Sequence, residues 1–284
     1  MVKILIVFVV AIAAMLYFLR PATFSTASEA TSESVNRGSL QKMAALPSQI
    51  SESSGIAVIS EKGQYATHND AGNKPNLYII NSKGKLEQTI TLKLPNVDWE
   101  DLAKDAEGNI YIADTGNNDN KRKELAIYKV NLSNTGSPEA IRFTYEDQKE
   151  FPPSKKERNF DCEAVFWHGG QLYLISKDRG QGATAKVYQL PDKPGTYKAK
   201  LLGSHKIKAE ITGAAISQDA GTVALISKGK LHIFTAYTSP ASFYEGTYKQ
   251  LVLKDAGQTE AVAFENDKTL VITSEGGNLY RYAL

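Results

Sequence analysis

The sequence predicts an all-β chain, a β-propeller of four-stranded blades. Three observations predict it. One strand–turn–strand layout recurs five times, further strand-like runs follow each copy, and no segment after residue 45 keeps a helical period. The copies are SGIAVISEKGQYATHND from Ser54, WEDLAKDAEGNIYIADTGN from Trp99, CEAVFWHGGQLYLISKDRG from Cys162, TGAAISQDAGTVALISKG from Thr212 and TEAVAFENDKTLVITSEGG from Thr259. Each has a Gly or Glu, a short apolar strand, a polar turn and a second apolar strand that stops at a polar cluster. Aligned on that Gly or Glu, the copies open at Gly55, Glu100, Glu163, Gly213 and Glu260.

The remaining strands of each blade follow in order. NLYIINS and KLEQTITLKL complete the first, ELAIYKVNL and AIRFTYE the second, AKVYQL and KAKLLGSHKI the third, KLHIFTAY and TYKQLVLK the fourth. Period-2 alternation, abundant Tyr, Val and Ile, and Gly/Asn/Asp turns mark antiparallel strands. The fifth copy has only NLYRYAL after its hairpin, one strand short. A segment near Ala45–Ile50 is expected to supply the missing outer strand, closing the ring and removing an open edge. Five blades are expected; a sixth, hidden in the 63-residue interval between Glu100 and Glu163, is the alternative.

In such a ring the inner strands line a central channel, and both tips of each hairpin meet water at one mouth. This explains why DCEAVFWHGGQLYLISKDR begins with carboxylates and ends with charges. The mouth should gather Glu100, Glu163 and Glu260 near the axis. His68, Asp70, Asp114, Asn117, Asn118, Lys177, Arg179, Lys228 and Glu275 should surround them. Converging carboxylates repel one another unless a cation or proton compensates. Ca²⁺, which takes six to eight oxygen ligands, is the candidate cofactor on Glu100, Glu163 and Glu260; water and the nearby lysines are the alternative compensation. DTGNNDNKRK (114–123) reads either as a recognition loop or as a solvated turn over the same mouth. The charged insertion 146–161 reads as a surface loop.

The 42% apolar and 23% charged content is that of a globular protein. A net charge of +2 with scattered basic residues gives no nucleic-acid footprint. The single cysteine, Cys162, excludes an internal disulfide and reads as a small buried residue. His168, His205 and His232 share no spacing and are not expected to be ligands. No G-x-S-x-G, H-E-x-x-H, P-loop or CxxC occurs.

Ile4 to Leu19 is an uncharged run of 16 residues behind Met-Val-Lys. Its length falls between the apolar core of a cleavable signal and a spanning helix. Residues 1–22 are therefore expected to be a signal anchor, the alternative being a cleaved signal peptide. Residues 23–44 are expected to be a polar tether, and 45–284 the propeller.

The SG at 54–55, the Glu of WEDLA, EA at 163–164, TGA at 212–214, EAVA at 260–263 and the closing ITSEGGNLYRYAL together resemble the SdiA-regulated family of bacterial exported β-propellers. WEDLA and IYIADTGNN are also similar to phytase-like and NHL-type propellers. The resemblance spans roughly residues 45–284. It implies an envelope location and calcium binding, and no settled reaction. Two functions follow as expectations. One is an envelope-associated propeller, monomeric in its ring, that binds a ligand or partner at the acidic mouth. It would be membrane-anchored on the periplasmic or extracellular side, or secreted if the signal is cleaved. The other is a metal-dependent hydrolase of a phosphoester, ester or lactone at the same mouth, with His68 the candidate base.

Overall fold

The structure, a computed structural model, describes residues 38–284. The expected signal anchor and most of the expected tether lie outside the described residues. A first strand, β1 (Leu40–Ala45), precedes five strand groups. They are β2 (Ser53–Ser60), β3 (Gln64–Asn69), β4 (Asn76–Asn81) and β5 (Leu86–Thr91); β6 (Trp99–Lys104), β7 (Asn109–Asp114), β8 (Leu125–Asn131) and β9 (Asn134–Tyr145); β10 (Asp161–His168), β11 (Gln171–Lys177), β12 (Thr184–Pro191) and β13 (Gly195–Lys206); β14 (Ile211–Ile216), β15 (Thr222–Ser227), β16 (Lys230–Thr235) and β17 (Thr247–Val252); and β18 (Thr259–Asn266), β19 (Thr269–Ser274) and β20 (Asn278–Ala283).

Strands within each group pair antiparallel in sequence order, as the short Gly- and Asn-containing turns require. The long outer strands β9 and β13 also pair, in parallel, from Ile141 with Gly195 to Tyr145 with Ala199. That joins two groups into one eight-stranded sheet. Inner strands pack in a closed circuit, β2 on β6, β6 on β10, β10 on β14, β14 on β18 and β18 on β2. The apolar core fills the spaces between neighbouring groups. Leu77, Trp99 and Ile110 pack in one such wedge, Phe143, Tyr145 and Tyr188 in the next, and Phe166, Phe234 and Phe243 in a third.

The last group is completed by β1, which pairs antiparallel with β20 from Leu40 with Tyr282 to Ala45 with Asn278. The closing strand thus lies before the segment expected from the sequence, and the ring begins inside residues 23–44, which the sequence reading gave to the tether. LQKMAA alternates too weakly to be recognised alone; Leu40, Met43 and Ala44 are only partly buried against the core. A chain starting at residue 38 should keep the full cooperative melt. A chain starting at residue 46 should aggregate, because β20 would present an unpaired edge. Equal solubility of the two chains would refute this role of β1.

Candidate functional site: an acidic mouth

The start of every inner strand carries a bulge. Ser53 pairs with Asn69 and Gly55 with His68, leaving Ser54 extra. Glu163 is extra between Cys162 and Ala164, Thr212 between Ile211 and Gly213, and Glu260 between Thr259 and Ala261. On β6 both Glu100 and Asp101 fall between Trp99, paired with Asp114, and Leu102, paired with Ile112. A bulge breaks strict alternation and re-aims a side chain. The structural equivalents of the glutamates are therefore Ser54 and Thr212, one residue before the Gly55 and Gly213 of the sequence alignment. Those two glycines serve close packing instead. A Cβ on Gly55 would stand 2.8 Å from the Leu102 nitrogen, and one on Gly213 would stand 2.6 Å from the Glu260 carbonyl oxygen.

The mouth brings Asp70, Asp98, Glu100, Asp161 and Glu163 into electrostatic contact with one another, and Glu260 reaches Asp70 and Glu275. Ligand atoms of Asp70, Asp98 and Glu100 lie within 4.8 Å of one another, as do those of Glu100, Asp161 and Glu163. Glu260 belongs to neither trio among the described residues. Glu100 is only 5% exposed and its carboxylate takes part in no hydrogen bond or ion pair among the described residues. Burial, then the charges of Glu163, Asp70, Asp161 and Asp98, hold its carboxyl well above the usual range. Burial and neighbouring acids push Asp98 up to about 6 and Glu260, chiefly through burial, up to about 7; at Glu163 they are opposed by Lys177 and Arg179.

Two cations meet this charge directly. Lys177 Nζ donates to Glu163 Oε2 at 2.9 Å, and Arg179 donates to Asp161 Oδ2 at 2.5 Å and to Glu163 Oε1 at 2.6 Å. Asp114 is buried and works from behind. It accepts the backbone N–H of Asp98 at 3.1 Å and pairs with Arg122 at 3.0 Å, which fixes the approach to β6. Gly116 touches the open side of the cluster: a Cβ there would fall 2.2 Å from Glu100 Oε1 and from Asp98 Cγ. Lys228 and Glu275 are exposed at the ends of their strands.

Some expected residues have other duties. His68 is fully buried, its ring edge-on to Trp99 at 5.5 Å, with Nδ1 on the Asn69 carbonyl at 2.9 Å. With no exposed surface the ring does not line the mouth, and the same burial pushes its pKa down to about 4. Asn117 is buried; its N–H donates to Asp161 Oδ1 at 2.6 Å, and the Phe160 N–H donates to Asn120 at 2.9 Å. The 114–123 segment is thus stitched to the start of β10 through Asn117 and Asn120, while Asn118, Asp119, Lys121 and Lys123 are exposed. In the 146–161 insertion Ser154–Glu157 is exposed, as expected, while Gln148 and Asn159 are buried. Cys162 is buried and its thiol is raised by burial, as a packing residue should be.

Sequence reasoning missed Asp98, Asp161 and Asp101. Asp98 and Asp161 precede the repeated glutamate position by two residues, a shared offset visible in VDWE and FDCE. Asp101 is fully buried just inside the mouth and accepts the backbone N–H groups of Val165 at 2.9 Å and Ala214 at 3.1 Å. Beyond it the channel widens into a cavity of about 440 Å³ lined by Val58, Leu102, Phe166, Trp167, Ile216 and Phe264.

With sheets, circuit and mouth established, comparison with solved structures settles the architecture. The fold is that of a β-propeller. The chain is similar to the PQQ-bound aldose sugar dehydrogenase of Streptomyces coelicolor, with a TM-score of 0.51, 12% identity, and coverage of 87% of this chain and 99% of that one. It is also similar to a gluconolactonase of Xanthomonas campestris, with a TM-score of 0.52, 11% identity, and coverage of 86% and 89%. No family model matches the chain, and no curated protein does. Among the described residues, no helix is long and apolar enough to cross a membrane.

Proposed function

We propose that the protein is an exported, envelope-associated propeller whose acidic mouth holds a divalent cation, calcium, and binds a ligand or partner there. The observation that carries the cation is Glu100: a residue only 5% exposed whose carboxylate has no hydrogen-bonding partner among the described residues and lies beside Asp70 and Asp98. An all-oxygen donor set suits a hard cation, and Ca²⁺ tolerates irregular geometry better than Mg²⁺. Export is supported by the apolar run Ile4–Leu19 and by the resemblance to the SdiA-regulated propellers. A hydrolase of lactones, esters or phosphoesters is the second reading. The structural likeness to a gluconolactonase favours testing lactones first. With His68 buried, such an enzyme would take its base from the mouth's own carboxylates.

Calcium should raise the melting temperature of the full-length chain; at 100 times its dissociation constant it adds about 2.7 kcal/mol. Glu100→Gln, which keeps the shape and removes the charge, should abolish most of that rise. No shift with Ca²⁺, Mg²⁺ or Mn²⁺, together with no metal in the purified protein, would refute the cation. Turnover of a lactone, ester or phosphoester that needs Ca²⁺ and Glu100 would decide for the hydrolase. Membrane fractions should yield chains beginning at Met1 or Val2. A soluble chain beginning near Ser28 would instead mean a cleaved signal and secretion.

A further inference from the structure

We infer that Arg179, together with Lys177, fills the place of a second cation in the mouth and so limits the site to one divalent ion. The inference rests on the cation reading above. Two trios of acids share Glu100: Asp70 and Asp98 on one side, Asp161 and Glu163 on the other, each within 4.8 Å. A carboxylate common to two such trios is positioned to bridge a pair of ions, which two-metal sites hold about 3.5–4 Å apart.

The two sides differ in how their oxygens are used. All four carboxylate oxygens of Asp161 and Glu163 have a donor. Asp161 Oδ1 accepts the Asn117 N–H at 2.6 Å and Oδ2 accepts Arg179 Nε at 2.5 Å. Glu163 Oε1 accepts Arg179 Nη2 at 2.6 Å and Oε2 accepts Lys177 Nζ at 2.9 Å. On the other side, Asp70 Oδ1 accepts the Ala71 N–H at 2.5 Å, while the side chains of Asp98 and Glu100 accept nothing from the described residues. Arg179 and Lys177 together bring two positive charges, the charge of one divalent ion, to the closed side. Arg179 is held in place by Asn118, whose side-chain oxygen accepts its Nη2. Guanidinium does not deprotonate in proteins, so this closure persists at every working pH. The open trio of Asp70, Asp98 and Glu100 is left as the ion's own position.

The test is stoichiometry, read on the full-length chain with Ca²⁺ alone by calorimetric titration and by metal content after dialysis. Wild type should bind one ion per chain. Arg179→Gln with Lys177→Gln should bind two, and Arg179→Lys, which keeps the charge, one. Asp98→Asn should lose the single ion, whereas Asp161→Asn should retain it. If the double variant does not fold, Arg179→Gln alone serves; it frees Asp161 Oδ2 and Glu163 Oε1 and should admit a second ion more weakly than the first. A single ion in every folded variant lacking these cations overturns the inference while leaving the cation reading intact. So does a second ion already present in wild type. No ion in wild type overturns the cation reading itself.

Discussion

Asp101→Ala should lower the stability of the ring by roughly 3–5 kcal/mol, the largest effect expected of any single polar substitution here. The carboxylate is fully buried and its Oδ2 accepts N–H groups from β10 and β14, while Oδ1 accepts the Leu102 N–H at 2.8 Å. Alanine leaves these buried donors without their acceptor, each at a cost of about 1–3 kcal/mol. Relief from burying a charge offsets part of that sum, since burial holds this carboxyl well above its usual range. For a chain of this size the melting temperature should fall by roughly 10 °C. Asp101→Asn keeps an oxygen but turns an N–H₂ toward N–H donors, so it should fall between wild type and alanine. Thermal denaturation of the three proteins checks the order. An Asp101→Ala chain melting within 2 °C of wild type would mean that the bonds across β6, β10 and β14 contribute little.

That residue also marks where sequence reasoning stops. The hairpins were legible because apolar strands such as LYLIS and TVALIS end at Gly and charged turns, and because five copies confirmed one another. The closing strand β1 was displaced in the prediction because LQKMAA carries little pattern of its own; only its pairing with β20 makes it a strand. The parallel contact of β9 with β13 had no sequence signal, since it depends on where two long outer strands lie in space.

The site followed the same division. Glu100 and Glu163 were legible from their shared place in the repeat. The structure joins them in one trio. Glu260, at the same place, stays outside both trios. The two trios also need an acid two residues before the glutamate, Asp98 and Asp161, where the fifth copy has Gln258. Aligning Gly55 and Gly213 with the glutamates was an error of one residue, because those two hairpins are one residue longer than the hairpins of Glu100 and Glu260. His68 looked like a base because it ends a strand near the mouth; its packing on Trp99 is visible only in three dimensions.

The metal-free protein should lose stability as pH rises from about 6.5 to 8.5, and calcium should restore it. Glu260, at about 7, has a folded-state pKa raised above that of an unfolded chain, and Glu100 is raised as well, whereas Glu163 is held ionised by Lys177 and Arg179. The folded state therefore holds protons that the unfolded state has released. This favours folding at low pH, and the advantage is lost as pH rises through the folded values. Two buried histidines act in the opposite sense: His68 and His232 are each lowered to about 4, so they favour folding as pH rises toward 6.5 and contribute no further change above it. The window above 6.5 isolates the carboxylates. There the loss should be roughly 1–3 kcal/mol, a drop of several degrees in melting temperature. A divalent cation replaces those protons, so calcium should bind more tightly at pH 8 than at pH 6.5 and release protons as it binds. Glu100→Gln should remove most of the calcium response and lessen the pH dependence, because it removes the carboxylate common to both trios while Glu260 still titrates. Melting curves in chelator and in calcium across this window provide the check. A metal-free melting temperature that holds steady or rises between pH 6.5 and 8.5 would mean the mouth's carboxylates are already compensated by Lys177 and Arg179, leaving no deficit for a cation to fill.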